Sequence, residues 1–175
     1  MYKTKPALFG VIGSNSNLEI SSALKSFEGN FTEETFDDCH IIYSAPEYFF
    51  NKPKFTHSKD NKKVLSLFGN AVFKDISIDS FCESPEEYLQ EILESNDDLG
   101  EIPKSITNGR FVGIAIDSQN STKLIFNSFF GSLPLYYTVS NENLFFSSRL
   151  SLLCQHPSIN TIWDNKGLNE FLNYF

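Results

Sequence analysis

GRFVGIAIDSQNSTKLIFNSFFGSLPLYYTVSNENLFFSSRLSLLC, residues 109 to 154, holds three apolar runs separated by turn chemistry. They are Phe111 to Ile116, Lys123 to Phe129, and Leu135 to Val139 followed by Leu144 to Ser147. Each is short, rich in β-branched and aromatic residues, and bounded by Asp-Ser-Gln-Asn, Gly-Ser or Ser-Asn-Glu-Asn. That pattern is the signature of a strand meander and predicts an antiparallel sheet. In the first run Val112, Ile114 and Ile116 alternate with Gly113, Ala115 and Asp117, so bulk lies on one face and small residues lie on the other. A second layer can approach the small face closely. Between the runs, Gly131 permits a turn and Pro134 fixes φ before Tyr136-Tyr137 re-enter the sheet; this reads as a hairpin connection.

Upstream, Ala7 to Gly13 (ALFGVIG) is a short buried strand followed by a turn. Asn17 caps a helix with apolar residues at Ile20, Ala23, Leu24 and Phe27, ending near Gly29. Cys39 to Phe50 and Val64 to Phe73 read as strands joined by a lysine-rich loop from Asn51 to Lys63. That loop, with Lys52, Lys54, His57, Lys59, Lys62 and Lys63, reads as a solvated connection and is assigned no site. From Ser84 the chain reads SPEEYLQEILES: a serine cap, proline at the first helical position, glutamates in the first turn, and Tyr88, Leu89, Ile92 and Leu93 on one face. A shorter helical piece, Pro103 to Ile106, leads into the meander. The element order makes the fold class α+β, with helices layered on antiparallel sheet.

The chain has 175 residues, enough for one domain with a substantial core. Hydrophobic residues at 41% and aromatic residues at 15% set it apart from disordered chains. With 22 acidic against 14 basic residues the formal charge is −8, which repels phosphate backbones and anionic lipid; nucleic acid is not an expected partner. No apolar run reaches the roughly 20 residues that span a bilayer, so no membrane span is expected. Cys39, Cys82 and Cys154 are odd in number and widely spaced, as in a reducing, cytoplasmic setting. His40, His57 and His156 lie in separate segments without paired-ligand spacing, so no metal site is expected.

The order FFGSLPLYY, ENLFFSSRLSLL, GLNEFLNYF closely resembles the end of the amino-terminal domain of asparagine synthetases, where "RFG-x-x-PLYY" is followed by a strand "LxFASE" and a helix leading to the synthetase domain. Thr107 to Asp117 resembles the family's "LNGMFAFAIWD". The resemblance implies a class II glutamine amidotransferase domain of the N-terminal-nucleophile hydrolase type, a four-layer αββα sandwich of two antiparallel sheets. It implies a glutaminase-like domain over residues 1–165, and from 166 to 175 the start of a helix leading to a synthetase domain absent from this chain. Leu168, Phe171, Leu172 and Phe175 share one face of that helix and are its expected partner-facing side.

Family glutaminases use a cysteine at residue one of the mature chain, assisted by its own α-amino group. The family's opening "CGIFG" fits this chain in two registers, placing that cysteine at Pro6 or at Phe9. Neither is a nucleophile, and bulky Tyr2 should leave Met1 in place. The family's oxyanion segment "FNGEIYN" falls on Phe68-Gly69-Asn70-Ala71-Val72-Phe73, where Gly69 and Asn70 appear in reversed order. Counterparts of its "HRRLSI" strand and "SDTE" glutamine clamp are missing between Tyr43 and Leu89. No catalytic residue is therefore assigned, and Gly69 and Asn70 are degenerate oxyanion-hole positions. The ATP-binding "SGGxDS" motif belongs to the second domain; ATP and Mg are expected there, and no cofactor is expected here.

β-Lactam synthetases and lasso-peptide macrolactam synthetases are similar to asparagine synthetase but lack the amino-terminal cysteine. The corresponding expectation is a non-catalytic domain serving as scaffold for an asparagine-synthetase-like, ATP-dependent amide-forming domain or chain. Two alternatives stand beside it. One is a stand-alone small-molecule binding module; the other is a hydrolase whose nucleophile is Cys39 or Cys154. Cys39 and His40 are strand neighbours and point to opposite faces, whereas Cys154 and His156 could share one, with the cysteine expected inside and the histidine outside.

Overall fold

A computed structural model describes residues 6–23, 31–44, 54–73 and 85–162. Within them nine strands form two antiparallel sheets. The first sheet has the order β2 (Thr32–Phe36), β3 (Cys39–Ser44), β1 (Ala7–Ile12), β9 (Asn143–Ser147), β8 (Tyr136–Ser140). The second has the order β4 (Lys54–His57), β5 (Lys63–Phe73), β6 (Ile106–Asp117), β7 (Thr122–Asn127). Helices α1 (Ser16–Ala23), α2 (Pro85–Ser95) and α3 (Leu150–Cys154) complete the described elements, with a 3-10 turn at Leu99–Ser105.

Strand alternation organises three cores. Leu8, Ile12, Cys39 and Ile41 of the first sheet meet Val64, Phe68, Val112, Ile114 and Ile116 of the second, making the inner core between the sheets. The other face of β5 and β6, with Leu65, Leu67, Phe111 and Ala115, takes Leu89, Ile92 and Leu93 of α2 and Leu99 and Ile102 of the 3-10 turn. The other face of β1 and β9, with Phe9, Val11 and Phe145, takes Ile20 and Ala23 of α1 and Leu152 and Leu153 of α3. The result is an α+β sandwich with helices on both outer faces. From Phe111 to Asp117 both faces of β6 are buried, as its bulky and small rows foretell. On the small row, Gly113 lies under the ring of Phe126 from β7, and Ala115 lies in the helix-side core.

The structure departs from the sequence reading in several places. The runs of 109–154 do not form one sheet: β6 and β7 belong to the second, β8 and β9 to the first. The Gly131 turn is therefore a crossover between sheets, and Leu133 seals it by entering the inner core. The lysine-rich loop contains β4, which pairs with β5 from Lys54↔Leu67 to His57↔Val64. Three of its lysines are met by neighbours: Lys59 Nζ lies 3.2 Å from Glu94, Lys62 Nζ 3.4 Å from Asp60, and Lys63 Nζ donates to the Asn96 carbonyl. Strand β2, TEETF, has no apolar periodicity to announce it; it is an edge strand held by main-chain pairing to β3. The short helical piece before β6 spans Leu99–Ser105, capped by Asp98 accepting from Gly100 N, and Ile106 already belongs to the strand.

Helix α1 begins at Ser16, one residue before Asn17. Residues Leu24 and Phe27, the serine cap at Ser84, the continuation of β3 beyond Ser44, Cys82, and the helix positions Leu168, Phe171, Leu172 and Phe175 lie outside the described residues.

Candidate functional site

The start of β1 is where the glutaminase nucleophile of the resembled family would stand. Strand β1 begins at Ala7, so the register that matches Phe9-Gly10 puts the cysteine position at Pro6, partly buried at the strand's first end. The alternative position, Phe9, is fully buried in mid-strand between Ile42 and Ser147. A residue there has no free amine and no solvent path. Of the two positions, Pro6 precedes the strand and Phe9 lies within it.

Two hydroxyls that the sequence reading did not single out hold this end of β1. The Leu8 N–H donates to Ser148 Oγ at 2.9 Å. The Leu8 carbonyl accepts from Ser147 Oγ at 2.7 Å and from the Ser148 N–H at 3.0 Å. Ser147 Oγ also accepts from the Arg149 N–H at 3.0 Å. Ser147 and Ser148 are buried, so each bond is shielded from water and the backbone of β1 is set firmly. The signal for them was the Phe-Ser-Ser of the "LxFASE"-like strand.

On the second sheet lie Gly69 and Asn70, where the sequence resemblance places the oxyanion segment. Tyr43 pairs with Leu8 in the sheet, and its ring centroid is 6.4 Å from that of Phe68. Gly69 and Asn70 follow directly, paired with Phe111 and Arg110 of β6. Gly69 has φ +111° and Gly109, opposite Ala71, has φ +135°. A side chain at either would strike main chain, the Arg110 carbonyl or the Asn70 carbonyl respectively. Alternation on β5 is nevertheless kept, because Leu65, Leu67, Ala71 and Phe73 all enter the helix-side core. Asn70 therefore shares the sheet-facing side with Phe68, whereas an asparagine one position earlier would take the helix side. Reversing the two residues moves the amide to the opposite face.

The remaining candidates separate. Cys39 is fully buried in the inner core, and burial, reinforced by the Asp38 carboxylate, pushes its thiol up to about 12. His40 points to the other face, its Nδ1 3.9 Å from Glu33. Cys154 and His156 are the reverse of expectation: the cysteine is exposed and the histidine is 2% exposed. The imidazole stacks on Phe9 at 5.6 Å and 16°, Nδ1 accepts from the Ser158 N–H, and Nε2 donates to the Glu19 carbonyl at 2.9 Å. Both nitrogens are occupied, so His156 cannot act as a base toward Cys154. Ser158 Oγ is no triad serine either, since it donates to Glu19 rather than to the imidazole. This cluster ties residues 156–159 to α1. The reason for the inversion is local: α3 is one short turn and leaves Cys154 on its outer side, while the chain after it folds back over Phe9.

Among the described residues no group of three His, Cys, Asp or Glu could hold a metal ion. No helix there is long and apolar enough to cross a membrane. An apolar groove of about 680 Å³ opens between β8, α3 and residues 159–162, walled by Leu135, Tyr136, Leu150, Leu153 and Ile162.

The architecture is thus a two-sheet α+β sandwich whose first strand begins beside a buried serine pair. Residues 90–175 match the family model of a glutamine amidotransferase domain. That match takes in β6 to β9, the crossover and the serine pair, and leaves out β1 and Gly69-Asn70; over it the chain is glutamine amidotransferase-like. No curated protein matches the chain.

Proposed function

We propose that the chain is a degenerate N-terminal-nucleophile-type glutaminase domain of the asparagine synthetase family. It does not hydrolyse glutamine and serves as scaffold for an ATP-dependent amide-forming domain or chain. The observation that carries the reading is Pro6 at the first end of β1. Pro6 immediately precedes β1, two residues before the Leu8 backbone that Ser147 and Ser148 hold, and its side chain has no nucleophilic atom. Two sheets face to face, with helices outside each, support the N-terminal-nucleophile assignment. The burial of Cys39 and the inward turn of His156 count against a hydrolase using Cys39 or Cys154.

Incubation of the full chain with L-glutamine, followed by coupled assay of glutamate and ammonia, is expected to give no turnover above buffer. Parallel isolation of a tagged chain is expected to recover an ATP-dependent amide-forming enzyme whose amide synthesis falls when this chain is removed. Glutamine turnover that survives repurification would overturn the non-catalytic reading. An isolated enzyme indifferent to this chain would overturn the scaffold role.

A further inference from the structure

The five-stranded sheet ends in β8, Tyr136-Tyr137-Thr138-Val139-Ser140, whose outer edge has no paired strand among the described residues. Tyr137 pairs with Phe146 and Val139 with Leu144, so both stand on the row that forms the inner core. Cover stops one strand short of them. Phe146 is fully buried, whereas Tyr137 is 73% and Val139 69% exposed.

An unpaired strand edge is a template for another strand, and proteins usually guard it with charge. The other three edge strands carry such guards: β2 has Glu33 and Glu34, β4 has Lys54, and β7 has Lys123. Strand β8 has no charged residue, no proline and an unbroken ladder to β9. It is also self-complementary. A twofold axis through Thr138 would set Tyr137 opposite Val139 of a second copy, twice. Aromatic with β-branched is a favourable cross-strand pair, and no like charges would face each other despite the chain's −8.

We propose that β8 pairs antiparallel with β8 of a second copy about a twofold at Thr138, joining the two five-stranded sheets into one of ten strands. Five residues a side make a small interface, so association is concentration-dependent rather than permanent.

Sedimentation equilibrium of the full chain over roughly three decades of concentration, up to about 1 mM, is expected to show passage from monomer to dimer mass. Val139→Lys, at an exposed site where folding tolerates the change, is expected to leave the monomer at every concentration. Thr138→Cys is expected to give an oxidised dimer bridged at residue 138 itself, because strand pairing at the axis holds Cα atoms within the about 4.4–6.8 Å a disulfide needs. A wild type that stays monomeric throughout overturns the proposal. So does a dimer that persists in Val139→Lys, or a Thr138→Cys chain that forms no bridge at that residue.

Discussion

Gly10→Ala should be among the most damaging single-methyl additions to this protein. Gly10 sits on the inner face of β1, directly across from Phe146 of β9, and the Phe146 ring lies over its Cα. A methyl at residue 10 would stand 2.6 Å from both Cε1 and Cε2 of that ring, against 3.4–4 Å in ordinary contact. The ring would have to retreat by about 1 Å or more into an inner core where Phe146 is already fully buried beside Leu8 and Ile41. Overpacking of this kind costs about 1–3 kcal/mol. Phe146→Ala alone costs about 3–5 kcal/mol through lost burial and the cavity left behind. In the double variant the methyl enters space the ring has vacated, so the two losses should not add: the sum of the singles should exceed the double by at least about 1 kcal/mol. Urea unfolding of the four proteins, read by tryptophan fluorescence and circular dichroism with a common m-value, measures this directly. Losses that add to within about 0.5 kcal/mol would refute the reasoning, because they would mean that residue 10 and the Phe146 ring do not share one space. The same contact explains a residue of the resembled motif: the glycine of the Phe9-Gly10 pair is needed by the packing of β1 on β9, whether or not a nucleophile precedes it.

Two further predictions concern titrating groups. The Cys39 thiol, raised from 9.0 to about 12 in the folded protein, stays protonated where the unfolded thiol ionises. Folded stability from this group is therefore intact below pH 9 and is lost between pH 9 and about 12, at about 1.4 kcal/mol per pH unit at most. Comparison of wild type with Cys39→Ala by urea unfolding across that range should show the slope only in the wild type, and at pH 8 a thiol reagent should modify Cys154 while sparing Cys39 until the protein unfolds. For Asp117, burial pushes the carboxyl up, but the Asn120 N–H and side-chain amide, the Gln119 N–H and the Lys63 ammonium outweigh it and hold the group below 3.8. Its contribution is present above pH 3.8 and fades as pH falls through the lower folded value. Asp117→Ala should cost about 1–3 kcal/mol at pH 7 by unpinning the turn between β6 and β7; an equal cost at pH 2, or none at pH 7, would show that the charged carboxylate is not what holds the turn.

Much of this molecule was legible in its residues, for identifiable reasons. The apolar spacing of Leu89, Ile92 and Leu93 marks α2, because a 3.6-residue period is a local property. The alternation of Val112, Ile114 and Ile116 with Gly113 and Ala115 foretells a strand covered on both faces, because side chains in a strand take turns. The FFGSLPLYY and LFFSSRLSLL order led to the glutamine amidotransferase resemblance, which residues 90–175 share with the family model.

What lay beyond the sequence depends on partners distant along the chain. Nothing within β2 marks it as a strand, since its support is the edge of β3 and the inner core that receives Phe36, both brought to it by tertiary structure. A turn with glycine and proline looks the same whether it reverses within one sheet or crosses to another; burial of Leu133 between the sheets decides that. Cys154 and His156 are two residues apart, and only the fold of the chain over Phe9 determines which is inside. That Phe9 is enclosed in mid-strand was likewise open until β1 was seen flanked by β3 and β9. Local chemistry determined most of the elements, α2, β1, β5, β6 and β9 among them, because those follow from residue identity and period. The serine clamp on Leu8 and the face taken by Asn70 were decided by which strands meet, because burial is a property of the whole chain and not of any segment.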